Sequence, residues 1–397
     1  MQMRAFKPIV GVASVLALVG AAQGQVGPRV GQYPDVIVSS VGGSYDNSGG
    51  IGAYGASGGI AAYAIGSDSC NIGLSPAIWI AGNNQHPVIG GEIYRLFNGR
   101  FEQIGMSWLK HGFCAADSCS TGPNSGGQQG CLNVGGRAPG ASGCVVDYQG
   151  TPPTGGTGCD WLGFGRATDT YGSGLNGSQG YLGPRSEVNA WTGVYPYPYI
   201  RQGTNPNSTL NKRLLVRTSD LDPANFPRYN ASTNPMGAQY FGEVVYIVSD
   251  EWPTERYNNY SWRPITVATT QSSGYFNMDF TTGAAGLSRA MHPAIEAWRA
   301  ADPSVVMVTA DAPNDGRFFI AAKVTDLGNG TWSYEYAVFN MNSDRSAGSF
   351  SIPKSSSSTV QITSPGFHAP EYHSGEPYSL KPWDMAIGSN SITFSTD

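Results

Sequence analysis

The sequence predicts an all-β fold: antiparallel β-sandwich units carrying one short helix and a long glycine- and cysteine-rich excursion. Three observations predict it. Charged residues make up only 13% of the 397, while glycine counts 54 and proline 26, a mixture that suits short strands joined by tight turns. Apolar runs of strand length recur along the chain between Gly, Asn, Asp and Ser clusters. Cys70, Cys114, Cys119, Cys131, Cys144 and Cys159 form an even set, of the kind that disulfides staple in an oxidising compartment.

Residues 1–24 read as a secretory signal, with Arg4 and Lys7, then an apolar run, then small residues up to an expected cleavage after Gly24. Removing those two basic residues from the 23 leaves 21 against 28 acidic ones, a net charge of −7. That balance argues against a nucleic-acid partner, which wants a basic face. No later run is long enough for a membrane span, so the expected location is secreted, extracellular or at the cell surface.

Residues 25–290 are expected to form an N-terminal β region. It starts with the short strands of "DVIVSS" and "GIAAYAI", followed by a hairpin over residues 74–111 turning at Asn98-Gly99, whose residue types favour the positive φ of a type I′ turn. Residues 112–185 hold five of the six cysteines with little periodicity and read as an excursion ordered by disulfides. Three bridges are expected, with their pairing left open. Strands resume at "RLLVRTSD", "YFGEVVYIVSD" and "WRPITVATT".

Residues 291–397 read as a second, C-terminal sandwich region. Pro293 at a first-turn position and the apolar Ile295, Ala297 and Trp298 predict a helix over 292–302, of about three turns. The strands "SVVMVTADAP", "GRFFIAAKVTD", "TWSYEYAVFNM" and "GSFSIP" follow, with "LGNG" as a hairpin turn. This spacing suits an immunoglobulin-like or fibronectin-like sandwich, without the Cys-Trp-Cys signature of true immunoglobulin domains.

The runs "GRFEQIGMSWLKHGF", "YGSGLNGSQGYLGPRSEVNAWTG", "GRFFIAAKVTDLGNGTWSYEYAVFNMNSDRSAGSFSIP" and "GFHAPEYHSGEPY" resemble those of uncharacterised secreted proteins from planctomycete-like bacteria. The resemblance covers most of the chain after the signal. It implies export and a chain that continues past Asp397, and it brings no activity with it.

Chemistry is sought first in the histidines, four of which fall into two pairs among the five present. With Asn98-Gly99 as the turn, cross-strand partners have numbers that sum to 197, which sets Arg95 opposite Glu102, Ile93 opposite Ile104, Val88 opposite Leu109 and His86 opposite His111. A bulge at Gly90-Gly91 would send the two imidazoles to opposite faces. His368 and His373 lie in a Pro- and Gly-containing loop beside Glu371 and Glu376. If the pairs meet, His86, His111, His368 and His373 form a candidate Cu or Zn site of a secreted oxidase or hydrolase.

Three further groups are candidates. Glu243, Asp250, Glu251 and Glu255 offer carboxylates that could serve a glycosidase. Asp220, Asp222 and Asn225 could ligate Ca through oxygens, although their spacing matches no EF-hand. Tyr195, Tyr197 and Tyr199 in "VYPYPY" form either a ligand-stacking platform for a polysaccharide or a set of rings tucked into the core. No nucleophile elbow, phosphate loop or dinucleotide fingerprint is present. The leading reading is a non-catalytic surface protein, structural, adhesive or glycan-binding, whose partner is a polysaccharide or another envelope component and which requires no cofactor. The alternative is the histidine-lined metalloprotein.

Overall fold

The structure, a computed structural model, describes residues 33–42, 50–115, 118–119, 159–165, 167–283, 286–357, 360–370, 375–377, 379 and 381–396. The signal segment, Cys131, Cys144 and His373 lie outside them, and Cys119 is described by its backbone alone.

Among these residues the strands pair antiparallel throughout their ladders, as the turn-rich composition predicts. The largest sheet is built on the hairpin strand Val88–Phe97, which pairs with Gln239–Ile247 on one side. On its other side it pairs with Arg100–Met106 and then Leu109–His111. Tyr260–Ser272 and Tyr275–Phe280 extend the sheet beyond Gln239–Ile247.

This sheet is buried on both faces, and the strand Gln239–Ile247 shows how its alternation divides the core. Tyr240, Val244 and Tyr246 face one cluster with Ile89 and Ile93, packed with residues of the strands Val36–Val41, Ile60–Ile65 and Leu214–Arg217. Phe241 and Val245 face a second cluster with Tyr94, Leu96 and Trp298. The helix of this second layer, Ile295–Ala301, is shorter than the three turns expected, and buries Ile295, Ala297 and Trp298 as its apolar spacing predicts.

Beside the helix lies a three-stranded meander, Val306–Ala312, Gly316–Gly328 and Thr331–Asn340. Its second turn is made by Asn329 and Gly330, both at positive φ, as the "LGNG" signal requires. Phe319, Ala321, Met307, Ala337 and Phe339 pack onto the second cluster.

The chain forms two compact units, one of Arg29–Asp344 with Ala369–Leu380, the other including Arg345–His368 and Lys381–Asp397. The expected boundary at 291 is therefore displaced, because helix and meander share a core with the hairpin sheet. The second unit is a three-stranded sheet, Ser349–Pro353, Ser391–Ser395 and Asp384–Ile387, in which Phe394 and Trp383 gather around Phe367.

The Cys-rich excursion returns to the fold before residue 185. Ala167–Tyr171 pairs with Ser67–Asn71, and Leu182–Gly183 pairs with Leu109–His111's strand. Cys114 and Cys159 are bridged with Cα atoms 4.9 Å apart, and Cys70 is also disulfide-bonded. No described cysteine is free.

Candidate functional site

The hairpin register begins as predicted and then slips twice. Phe97/Arg100, Leu96/Phe101, Arg95/Glu102 and Tyr94/Gln103 sum to 197, Ile93/Gly105 sums to 198, and Val88/His111 to 199. The pairings of Ile93 with Ile104 and of Val88 with Leu109 are thus corrected. The slips fall at Ile104 and at Ser107-Trp108, where Ser107 N–H still reaches Gly91 O and Trp108 N–H turns to Lys212 O. Gly90 and Gly91 do not bulge. A Cβ on Gly90 would lie 2.6 Å from Arg185 Nη2, so glycine there admits the guanidinium.

Two one-residue slips restore the face that one slip would reverse. His86 and His111 therefore meet after all, as diagonal neighbours, with His86 Nε2 2.9 Å from His111 Nδ1. His86 Nδ1 lies 2.9 Å from the Ile80 carbonyl, which can only accept, so this nitrogen carries the proton. His86 Nε2 then accepts from His111 Nδ1–H, which leaves a bare lone pair on the buried His111 Nε2.

Both rings are sealed. Tyr199 stacks on His111 with centroids 3.5 Å apart and planes inclined by 2°, and Tyr195 donates its hydroxyl to His86 O at 2.8 Å. Burial lowers the pKa of His86 to about 4, with Lys110 adding to the effect. Burial, His86 and Lys110 lower that of His111 to about 2. Lys110 is itself buried, donating to His111 O at 2.7 Å and lying 4.3 Å from the Phe113, 4.6 Å from the Tyr171 and 4.7 Å from the Tyr181 ring centroid. Burial lowers its pKa to about 7, against the pull of Asp169.

The structure thus brings together two of the four metal-candidate histidines. His368 belongs to the other compact unit, and His373 lies outside the described residues. Among the described residues no group of three His, Cys, Asp or Glu side chains is placed to hold a metal ion. Of the tyrosines, Tyr195 and Tyr199 are the covers of the histidine pair, while Tyr197 is exposed.

The carboxylates form a second buried pair that the spacing did not reveal. Glu243 lies opposite Glu92 on the neighbouring strand, and both are buried. Tyr94 Oη is 2.5 Å from Glu92 Oε2 and 2.8 Å from Glu243 Oε1. One hydroxyl has one proton, so the second of these contacts needs a proton from a carboxyl. Glu92 also accepts from Arg185 Nη1 at 2.8 Å and from Gln103 at 3.0 Å, which identifies it as the ionised partner. Glu243, pushed up by burial and by Glu92, is the protonated one, and it accepts from the Ala294 backbone N–H on its other oxygen.

Glu251 has different partners, accepting from Val36 N at 2.6 Å and from Asn259 Nδ2 at 2.6 Å. Asp250 accepts from Ile78 N, with burial raising its pKa to about 6. The calcium candidates serve local structure: Asp220 pairs with Arg95 at 3.0 Å, Asp222 accepts from Ala224 N, and Asn225 donates to Ser219 O.

A different surface stands out by its exposed apolar side chains. In the meander the odd-numbered Met307, Phe319, Ala321, Ala337 and Phe339 face the core, and on the same side Lys323 reaches Asp302 at 2.5 Å and Glu335 reaches Arg100 at 3.0 Å. Cross-strand partners such as Val306/Ala322, Val308/Ile320, Val324/Tyr334 and Ala322/Tyr336 share the opposite, even-numbered face. On it Val306, Val308, Val324, Trp332, Tyr334 and Val338 are all exposed, Tyr334 by 56%. The signal was present in the sequence, since "RFFIAAKV" and "WSYEYAVF" are apolar at both parities while one sheet face suffices for a two-layer contact.

Compared with family models, with curated proteins and with solved structures, the chain matches none.

Proposed function

We propose that this is an exported, non-catalytic β protein of structural or adhesive kind, which attaches to an envelope or matrix component through the even-numbered face of its meander. The observation that carries the reading is that face. Its polarity is inverted, with the charged Lys323 and Glu335 paired on the helix side of the sheet and Val, Trp and Tyr side chains turned out on the other. Contiguous exposed apolar area of this kind marks an interaction site in a soluble protein. By contrast, these described candidates for catalysis contact one another or a neighbour: His86 and His111, Glu243 with Tyr94 opposite Glu92, Asp220 and Arg95. No described helix is long and apolar enough to cross a membrane.

The test is co-sedimentation of the purified full chain with the insoluble envelope fraction of the cells that produce it. The wild-type chain is expected in the pellet, and a Val308→Asp/Val338→Asp variant in the supernatant with an unchanged circular dichroism spectrum. A wild-type chain that stays in the supernatant overturns the reading.

A further inference from the structure

Resting on that reading, we infer that the partner is an uncharged polysaccharide whose sugar rings stack along Trp332, Tyr334 and Tyr336. These residues follow one another at every second position of a single strand, all on the outward face. A strand advances about 3.3 Å per residue, so the row runs about 13 Å and takes more than one sugar ring, which makes the ligand a chain.

The charge of the face excludes ionic partners. From Val306 to Asn340 the even-numbered positions are all apolar, aromatic, glycine or asparagine except Asp326, which lies opposite Trp332 at one end as their sole charge. Nothing there complements a sulfated or uronate polymer, nor a basic protein.

Area decides against a second copy of the chain. The three strands are 7, 13 and 10 residues long; at about 3.3 Å per residue and about 4.8 Å between strands they offer a footprint of about 480 Å², under the roughly 800 Å² per partner of a stable protein interface. The same strip suits a sugar chain, because aromatic rings stack on the apolar faces of sugars at little cost in side-chain entropy. The inner anchors keep the row rigid: Arg100 to Glu335, Lys323 to Asp302, and Phe339 packed edge-on against Tyr260.

The experiment measures retention of the full chain on microcrystalline cellulose, on chitin and in a gel containing neutral β-glucan, with dextran sulfate as the charged control. Saturable binding to at least one neutral polymer is expected, unaffected by 0.5 M salt in the manner of an uncharged contact. Trp332→Ala should weaken it at least tenfold, Trp332→Phe should restore most of it, and Tyr197→Ala, in the other tyrosine row, should leave it unchanged. Retention on dextran sulfate alone, or a dimer by analytical ultracentrifugation that Trp332→Ala dissolves, overturns the assignment. If envelope co-sedimentation persists while every neutral polymer fails, the sugar ligand is wrong and the adhesive reading stands. If both fail, the adhesive reading is wrong as well.

Discussion

Tyr195, Tyr197 and Tyr199 repeat at the same two-residue spacing as Trp332, Tyr334 and Tyr336, yet in the first set Tyr195 and Tyr199 close over a buried histidine pair while the second set faces outward. The difference lies in what holds the backbone. The segment 195–199 has no strand partner, and its rings are placed by what they touch, the Tyr195 hydroxyl on His86 O and the Tyr199 ring on His111. Thr331–Asn340 is fixed by its ladder to Gly316–Gly328, so parity alone sends its even-numbered side chains to one side. An alternation of aromatics identifies a face only where a ladder enforces the pleat.

The largest effect that would break this contrast is a difference in stability between equivalent truncations. Tyr195→Ala removes a buried ring and a hydrogen bond, and should cost about 3–5 kcal/mol in urea denaturation. Trp332→Ala removes a half-exposed ring and should cost less than about 1 kcal/mol. Equal losses would mean that both rows are core.

The histidine end should also respond to acid. The folded pKa of His86 is lowered to about 4 and that of His111 to about 2, below the ordinary 6.5 of the unfolded chain. Stability from the pair is therefore fully present above pH 6.5, and is lost as the pH falls from there towards 4, because the unfolded state takes up protons first. The first proton on this coupled pair should cost on the order of 3 kcal/mol. Denaturation midpoints at pH 7, 5.5 and 4 measure it, with His111→Gln as the flatter reference; parallel profiles would show that the imidazoles are not sealed.

Much of this was legible in the sequence and some was not, for identifiable reasons. The Asn98-Gly99 turn fixed the near half of the hairpin, since charge and size matched at Arg95/Glu102 and Leu96/Phe101. The far half depended on two slips, at Ile104 and at Ser107-Trp108, and those were set by contacts distant in sequence, such as Trp108 N–H to Lys212 O. At His86 and His111 the true register differs from the one the turn predicts by two residues, a parity that preserves the face. Glu92 carries no local signal, because its partner lies 151 positions away on a strand whose neighbour no local pattern names. The boundary at 291 followed the change from strand to helix, whereas the helix packs its apolar side on the hairpin sheet.

Beneath the meander the sign of the pH response reverses, and this gives the smallest and most discriminating effect. Tyr94, which bridges Glu92 and Glu243, belongs to the core cluster that carries Phe319 and Phe339. Glu243 is held protonated, so its folded pKa lies above its unfolded value, and folding at neutral pH must take up a proton. That contribution is present at acid pH and is lost as pH rises above the unfolded value of about 4.3. Glutamine satisfies the same contacts without a proton, its amide donating to Tyr94 Oη and its carbonyl accepting from Ala294 N–H. Glu243→Gln should accordingly stabilise the protein at pH 8 by about 1 kcal/mol, with the gain shrinking towards pH 4.5, whereas Glu92→Gln, which removes the carboxylate that Arg185 Nη1 donates to, should destabilise it at pH 8. Urea midpoints of the two variants at pH 4.5 and 8 decide between the assignments: if Glu92→Gln is the stabilising change, the proton resides on Glu92 and the ionised partner is Glu243.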